Sequence, residues 1–251
     1  MAYTTIDNPV EYFSATLYTG NGTARTIATG HQSDWVWLKR RDGAAGHRIA
    51  DSVRGATKLL YSDSTTSEQT DAKSITGFVS TGFTLGDDAN GYDVNTNTNT
   101  MVAWSWKAGG SASSNSNGSI TSSVSASTTA GFSIVSYTGT GSSATIGHGL
   151  GSIPQWIIVK NRSATDPWMV YHHSVMTASG TNKQFMTMNT NSALQSNSTN
   201  TTWESVSTST FGIGNDYGLN TSSENYIAYC FADVKGYSKF GKYTGNANVD
   251  G

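Results

Sequence analysis

One cysteine, three prolines and a charged fraction of only 13% set the first limits on this 251-residue chain. The lone Cys230 excludes an intrachain disulfide framework and a zinc site built from several cysteines. It sits in an apolar run, which reads as a small buried residue rather than a reactive thiol. An ordinary soluble domain is roughly 25% charged; here Ser, Thr, Asn and Gly take that share and predict a neutral, hydroxyl-rich surface. A net charge of -2, with basic residues scattered singly, gives no electrostatic footprint for nucleic acid. No apolar run approaches the ~18 residues of a membrane span, so no membrane insertion is expected. The N-terminus lacks the basic and apolar regions of a signal peptide. Apolar residues nowhere recur at helical spacing over three turns, which predicts almost no helix.

What the chain does have is aromatics, 11% with seven tryptophans, and a repeat. Tyr18-Thr19-Gly20 returns as Tyr137-Thr138-Gly139 and as Tyr243-Thr244-Gly245. Phe13 and Phe132 precede the first two copies at the same distance. Trp35-Val36-Trp37-Leu38-Lys39 is answered by Trp156-Ile157-Ile158-Val159-Lys160, and Phe83 to Gly86 by Phe211 to Gly214. Val102-Ala103-Trp104-Ser105-Trp106 matches Ile227-Ala228-Tyr229-Cys230-Phe231. Four ordered blocks at similar spacing imply two copies of one domain and the opening of a third.

The blocks read as strands. Met101 to Trp106 alternates cleanly, with Val102, Trp104 and Trp106 on one face. Trp35 to Leu38 is apolar on both faces, so it needs a cover on each side: the opposite sheet on one, and a loop, a neighbouring domain or another chain on the other. Asn8-Pro9 reads as a turn initiator rather than a helix start, and the stretches 86–100 and 189–202 as long polar loops. Short strands between Gly, Asn and Asp turns predict an all-β chain of two tandem antiparallel β-sandwich domains of jelly-roll type. The expected division is residues 1–109 for the first sandwich, 110–117 for a flexible Gly/Ser linker and 118–236 for the second sandwich. Residues 237–251 are then either the start of a third repeat, cut short, or a closing strand.

These blocks, together with Asp51-Ser52-Val53-Arg54-Gly55-Ala56-Thr57-Lys58 and Gly131-Phe132-Ser133-Ile134-Val135-Ser136, resemble a repeat domain of marine bacteriophage structural proteins. The resemblance covers nearly the whole chain from Tyr12. It implies concanavalin A-like sandwiches, a virion location on the tail or capsid surface, and no catalytic residues. The partners it implies are other virion subunits, with a homotrimer as in many fibres, and a host surface glycan. The alternative is a secreted bacterial carbohydrate-binding, lectin-like module.

Candidate sites are few. Asp87, Asp88, Asn90, Tyr92 and Asp93 form the one acidic cluster, and Asn215, Asp216 and Tyr217 stand at the matching place in the second copy. Oxygen ligands beside a turn glycine suit calcium, although the terminal glutamate of an EF-hand loop is missing. Asn and Asp beside an exposed Tyr also suit sugar hydroxyls and a sugar face, and a plain solvated turn fits equally. No other cofactor is expected. The histidines His31, His47, His148, His172 and His173 do not recur between copies and read as exposed loop residues. Arg25 and Arg54 lack counterparts in the second copy and read as surface. Trp35, Trp37, Trp104 and Trp106 read as core rather than as a glycan-stacking platform. A glycan hydrolase would need two facing carboxylates, and Glu11, Glu68, Glu204 and Glu224 are scattered, so the chain is expected to be no enzyme.

Overall fold

The computed structural model describes residues 4–176, 184–197 and 202–248. Lys183, the part of the 189–202 loop at 198–201, and the ends at 1–3 and 249–251 lie outside the described residues. The first half contributes β1 (Phe13–Thr19), β2 (Arg25–Ala28), β3 (Trp35–Arg40), β4 (Arg48–Asp51), β5 (Lys58–Leu59), β6 (Gln69–Thr70), β7 (Ile75–Val79), β8 (Gly82–Leu85) and β9 (Thr100–Trp106). The inter-copy stretch and second half contribute β10 (Ser113–Asn115), β11 (Ser122–Ser127), β12 (Phe132–Thr138), β13 (Ala144–Gly147), β14 (Pro154–Asn161) and β15 (Met169–His172). They continue with β16 (Gln184–Thr187), β17 (Gln195–Ser196), β18 (Trp203–Val206), β19 (Thr210–Ile213) and β20 (Asn225–Ala232). The only α-helix among the described residues is the single turn α1 (Tyr217–Asn220).

All strands pair antiparallel, and the fold is an all-β packing of sandwiched sheets. In the first half the order β1-β9-β3-β4 faces β2-β8-β7. In the second half β12-β20-β14-β15, flanked by β10-β11 and β16-β17 in one eight-stranded sheet, faces β13-β19-β18. The same strand order therefore recurs in both halves. Ile27, Val36, Leu38, Phe83 and Ala103 fill the first sandwich, while Val135, Ile157, Trp203, Phe211 and Ala228 fill the second.

The repeated Tyr-Thr-Gly is a clamp between a strand end and a long loop. The Tyr18 hydroxyl donates to the Val94 carbonyl at 2.7 Å, and the Tyr137 hydroxyl to Leu219 at 2.8 Å. The Asn95 side chain donates to the Thr23 and Gly86 carbonyls and accepts from the Asn21 amide. Asn220 repeats all three contacts with Ser142, Gly214 and Thr140. A Cβ on Gly20 or Gly139 would overlap the carbonyl oxygen of Thr96 or Thr221, so only glycine lets the two backbones approach.

A third core lies between the two halves. Trp35, Ile49 and Leu60 from the first half pack on Phe132, Ile134, Ile158, Tyr229 and Phe231 from the second. Trp35 is 0% exposed, with ring centroids 4.6 Å from Tyr229 and 5.6 Å from Phe132. The outer cover that β3 requires is thus the neighbouring sandwich. Arg54, expected at the surface, is buried here instead. Its Nε donates to Asp51 at 2.5 Å, and its terminal nitrogens donate to Glu68, to the Lys58 and Ile49 carbonyls and to the Tyr229 hydroxyl. The Tyr229 hydroxyl in turn donates to Asp51 at 2.7 Å. Glu68 also takes a two-pronged contact from Arg162 of the second half, at 2.8 and 3.0 Å. Burial, the largest single influence, would lower the Arg54 pKa, but Asp51, Tyr229 and Glu68 together outweigh it, so the guanidinium stays charged.

Three further expectations are corrected. Residues 110–117 are not a free linker: Ser113–Asn115 forms edge strand β10, and the buried Asp34 carboxylate accepts from the Ala108 and Gly110 amides. Asn8-Pro9 does start a helical turn, a 3-10 turn over Pro9–Glu11, because the Asn8 side chain caps the Val10 amide and Pro9 supplies the preset φ. Of residues 237–251, the described stretch 241–248 adds no closing strand, and Tyr243 is 93% exposed.

Replacing Arg54 with Ala leaves the Asp51 carboxylate buried without its cation, and stability is expected to fall by ~3–5 kcal/mol. Tyr229→Phe, which removes one donor, costs about 1–3 kcal/mol. Equilibrium denaturation of both variants measures this, and a loss within error of zero for Arg54→Ala would refute the buried network.

Candidate functional site

The two large sheets pack face to face across the shared core but part company at one end. There Phe13, Trp35, Trp37, His47, Trp104, Trp106 and Trp156 line an open groove of about 330 Å³. The groove follows from the period of two along β9: Met101, Ala103 and Ser105 point into the first sandwich, leaving Val102, Trp104 and Trp106 half-buried on the outer face. β3 adds Trp37 alongside, 6.1 Å from Trp104 between ring centroids. Trp156, at the start of β14, supplies the opposite wall and stacks on Phe231 at 4.9 Å. Through Phe13 and Trp106 the groove runs on into a smaller hollow of about 180 Å³ lined by Phe132, Phe231 and Phe240.

One polar group is set into this wall. The Trp37 indole N–H donates to His47 Nδ1 at 2.8 Å. That bond requires an unprotonated Nδ1, so the neutral ring carries its proton on Nε2. Burial holds the His47 pKa below its ordinary value, which keeps the ring neutral at pH 7. The arrangement offers broad indole faces with one ring N–H at the rim. Such a surface takes the C–H face of a flat or saturated ring and fixes its orientation with few hydrogen bonds.

The tryptophans thus divide. Trp35, Trp168 and Trp203 are core residues, while Trp37, Trp104, Trp106 and Trp156 are half-buried and wall the groove. Phe13, His47 and Trp156 were not singled out from sequence as site residues. The signal that could have found them is the clean alternation of β9 read together with the unmatched outer face of β3.

The acidic loops are organised differently. Asp88 is 5% exposed, and its carboxylate accepts from the amides of Tyr92, Val94 and Asn95 and from the Thr96 hydroxyl. Asp216 is 1% exposed; it caps α1 through the Gly218 amide and accepts from Asn197 and Thr202. Asp93 accepts from Asn99 and Arg40, Asn90 donates to Asp71, and Asp87 pairs with Lys73 at 3.5 Å. Tyr92 lies under the Arg48 guanidinium at 5.8 Å. Asn215 and Tyr217 face solvent. The two groups sit in separate sandwiches, and no described hydrogen bond joins them. Among the described residues no three His, Cys, Asp or Glu side chains are grouped to hold a metal ion.

Two histidines expected in exposed loops are buried. His31 is 3% exposed, bridging the Val10 carbonyl and the Ser105 hydroxyl. His148 is 0% exposed, accepting from the Leu150 amide and contacting the Ser207 carbonyl at 3.2 Å. Cys230 is buried at the position matching Ser105, and burial pushes its thiol up to about 12, so it is inert at neutral pH. Lys160, 0% exposed, donates to the Asn161 and Ala164 carbonyls, and burial lowers its pKa to about 8.

Sheets sandwiched in repeated order, joined through an aromatic core with an apolar groove at its mouth, define an all-β protein. The chain belongs to the family described as "Domain of unknown function (DUF7483)", whose model matches residues 8–251. That single match spans both halves and the core between them. No curated protein and no solved structure matches the chain.

Two outcomes test this reading of the loops and histidines. Calcium is expected to leave the melting temperature unchanged, whereas Asp88→Ala, which strands buried amides, lowers stability by ~2–4 kcal/mol; stabilisation by calcium that Asp88→Ala abolishes would refute it. His31, His47, His148 and His172 are all held below the ordinary histidine value, in each case chiefly by burial. The unfolded chain therefore takes up protons first as pH falls. Stability is full above about pH 6.5 and declines as pH drops through the folded-state values. A melting temperature that stayed level between about pH 7 and 5 would contradict that sign.

Proposed function

We propose that this chain is a non-enzymatic component of a bacteriophage virion, on the tail or capsid surface, that attaches the particle to a host surface or to other virion subunits. The observation that carries the binding role is the groove where Trp37, Trp104, Trp106 and Trp156 stand half-buried around His47. Exposing several indole faces together is costly unless something covers them. The groove's chemistry suits the C–H face of a sugar ring, which makes a host surface glycan the favoured ligand. The virion assignment rests on the resemblance of the repeated blocks to phage structural proteins. A secreted bacterial carbohydrate-binding module is the second reading, and the same groove favours it.

A glycan array identifies the ligand, and titration calorimetry measures it. Trp104→Ala and Trp156→Ala are expected to weaken binding about tenfold each, corresponding to ~1.4 kcal/mol, with the far-UV spectrum unchanged. Failure of every glycan to bind, or binding indifferent to both substitutions, would sink the groove reading. Peptides of this chain in purified phage particles separate the virion from the secreted module.

A further inference from the structure

Strand β1 is an open sheet edge whose counterpart in the second half is closed. Equivalent positions of the two entry strands are Phe13 and Phe132, Ala15 and Ile134, Leu17 and Ser136. In the second half β11 pairs along this edge, with Ser127 opposite Phe132, Ser125 opposite Ile134 and Ser123 opposite Ser136. In the first half, among the described residues, β1 pairs with β9 alone. The residues that would supply the missing strand turn away at Asn8 into the 3-10 turn Pro9–Glu11.

The free backbone groups can be assigned. The Lys107 amide donates to the Tyr12 carbonyl and the Gly20 amide to the Asn99 carbonyl. With the register Phe13↔Trp106 to Thr19↔Thr100, bonded pairs fall at Ser14, Thr16 and Tyr18. The N–H and C=O groups of Phe13, Ala15 and Leu17 therefore point away from β9, and no described residue takes them up. Natural edges are blunted by Lys, Pro, bulges or shortness. β1 is seven uncharged residues, Phe-Ser-Ala-Thr-Leu-Tyr-Thr, in unbroken register, and Leu17 is 62% exposed on it.

We infer that this edge is a strand-addition site occupied by β1 of a second copy of this chain, the two strands running antiparallel about Ala15. The free groups at Phe13, Ala15 and Leu17 are self-complementary in that register: Phe13 faces the partner's Leu17, and Ala15 faces the partner's Ala15. Pairing covers Leu17 with an aromatic ring and brings no like charges together. The other terminal strands of the two large sheets offer less, since β10 has three residues, β17 has two, and Ile49 of β4 already bridges Leu60. Two four-stranded sheets joined this way give eight strands, the width the second half already builds within one chain. The contact is isologous and closes at two copies, so it yields a dimer rather than the trimer expected of a fibre. It adjoins the aromatic groove at Phe13, which lines the groove and faces the partner's Leu17.

The test is the mass of the full chain by light scattering. The wild type is expected at twice the chain mass, and Leu17→Lys at half that value with unchanged melting and far-UV spectrum. Ala15→Pro is a second break, because it removes an N–H that points away from β9. On mild oxidation Ala15→Cys should give a disulfide-linked dimer, whereas Thr76→Cys, exposed on β7, should not. A monomeric wild type overturns the inference, as does a dimer that survives both Leu17→Lys and Ala15→Pro. Protection of the Ala15 and Leu17 amides that appears only on adding a peptide of sequence Ser122–Ser127 also overturns it, in favour of a β11-type strand as the occupant of the edge.

Discussion

Water must be excluded from the outer face of β3, and the architecture follows from that requirement. Val36 and Leu38 satisfy one face inside the first sandwich, but Trp35 points the other way and reaches 0% exposure only because Phe132, Tyr229 and Phe231 lie over it. An indole of this size contributes about 3–5 kcal/mol when buried in a packed core. The drier this junction becomes, the more an unpaired charge within it would destabilise. Arg54 is tolerated because Asp51, Glu68, two backbone carbonyls and the Tyr229 hydroxyl satisfy its guanidinium. Tyr229 belongs to both systems, stacking near Trp35 and donating to Asp51, so the packing and the polar network hold one another in register.

The clamp at the other end of each sandwich gives two carboxylates of the acidic loops a structural task. Asn95 and Asn220 each bind three backbone groups across a strand end and a loop, and Asp88 and Asp216 order the loop that delivers them. A carboxylate that already accepts several amide hydrogen bonds has little capacity left for a cation or a sugar hydroxyl.

Local features were legible in the sequence and relational ones were not. β9 is readable because a period of two over Met101 to Trp106 has no competing interpretation, and the two-faced β3 is readable as a demand for a cover. Nothing local names that cover, because Trp35 meets residues about 100 or more positions away. Arg54 looks like a surface residue for the same reason: Asp51 stands three residues away, but the Tyr229 hydroxyl that completes the buried network is 175 residues distant. The Gly/Ser stretch after β9 has the composition of a linker, yet Asp34 and Ser125 fasten its backbone, so composition alone misjudged its freedom. The groove depends on how two sheets are offset, a quantity no window of sequence encodes.

That offset also breaks the likeness between the halves. Trp37 and Trp104 correspond to Ile158 and Tyr229, but the first pair stands half-buried at the groove while the second pair is sealed in the shared core. Trp35 corresponds to Trp156; both border the groove, but Trp35 is sealed at its base while Trp156 stands half-buried. Two faces of similar chemistry therefore meet out of step, each covering only part of the other. A symmetric meeting would have buried both sets of rings and left no groove. The same inequality appears at the entry strands, where β12 is covered by β11 and β1 is bare. The two halves share one strand order, and their unequal docking leaves an aromatic groove at the junction and an unpaired edge on the first half.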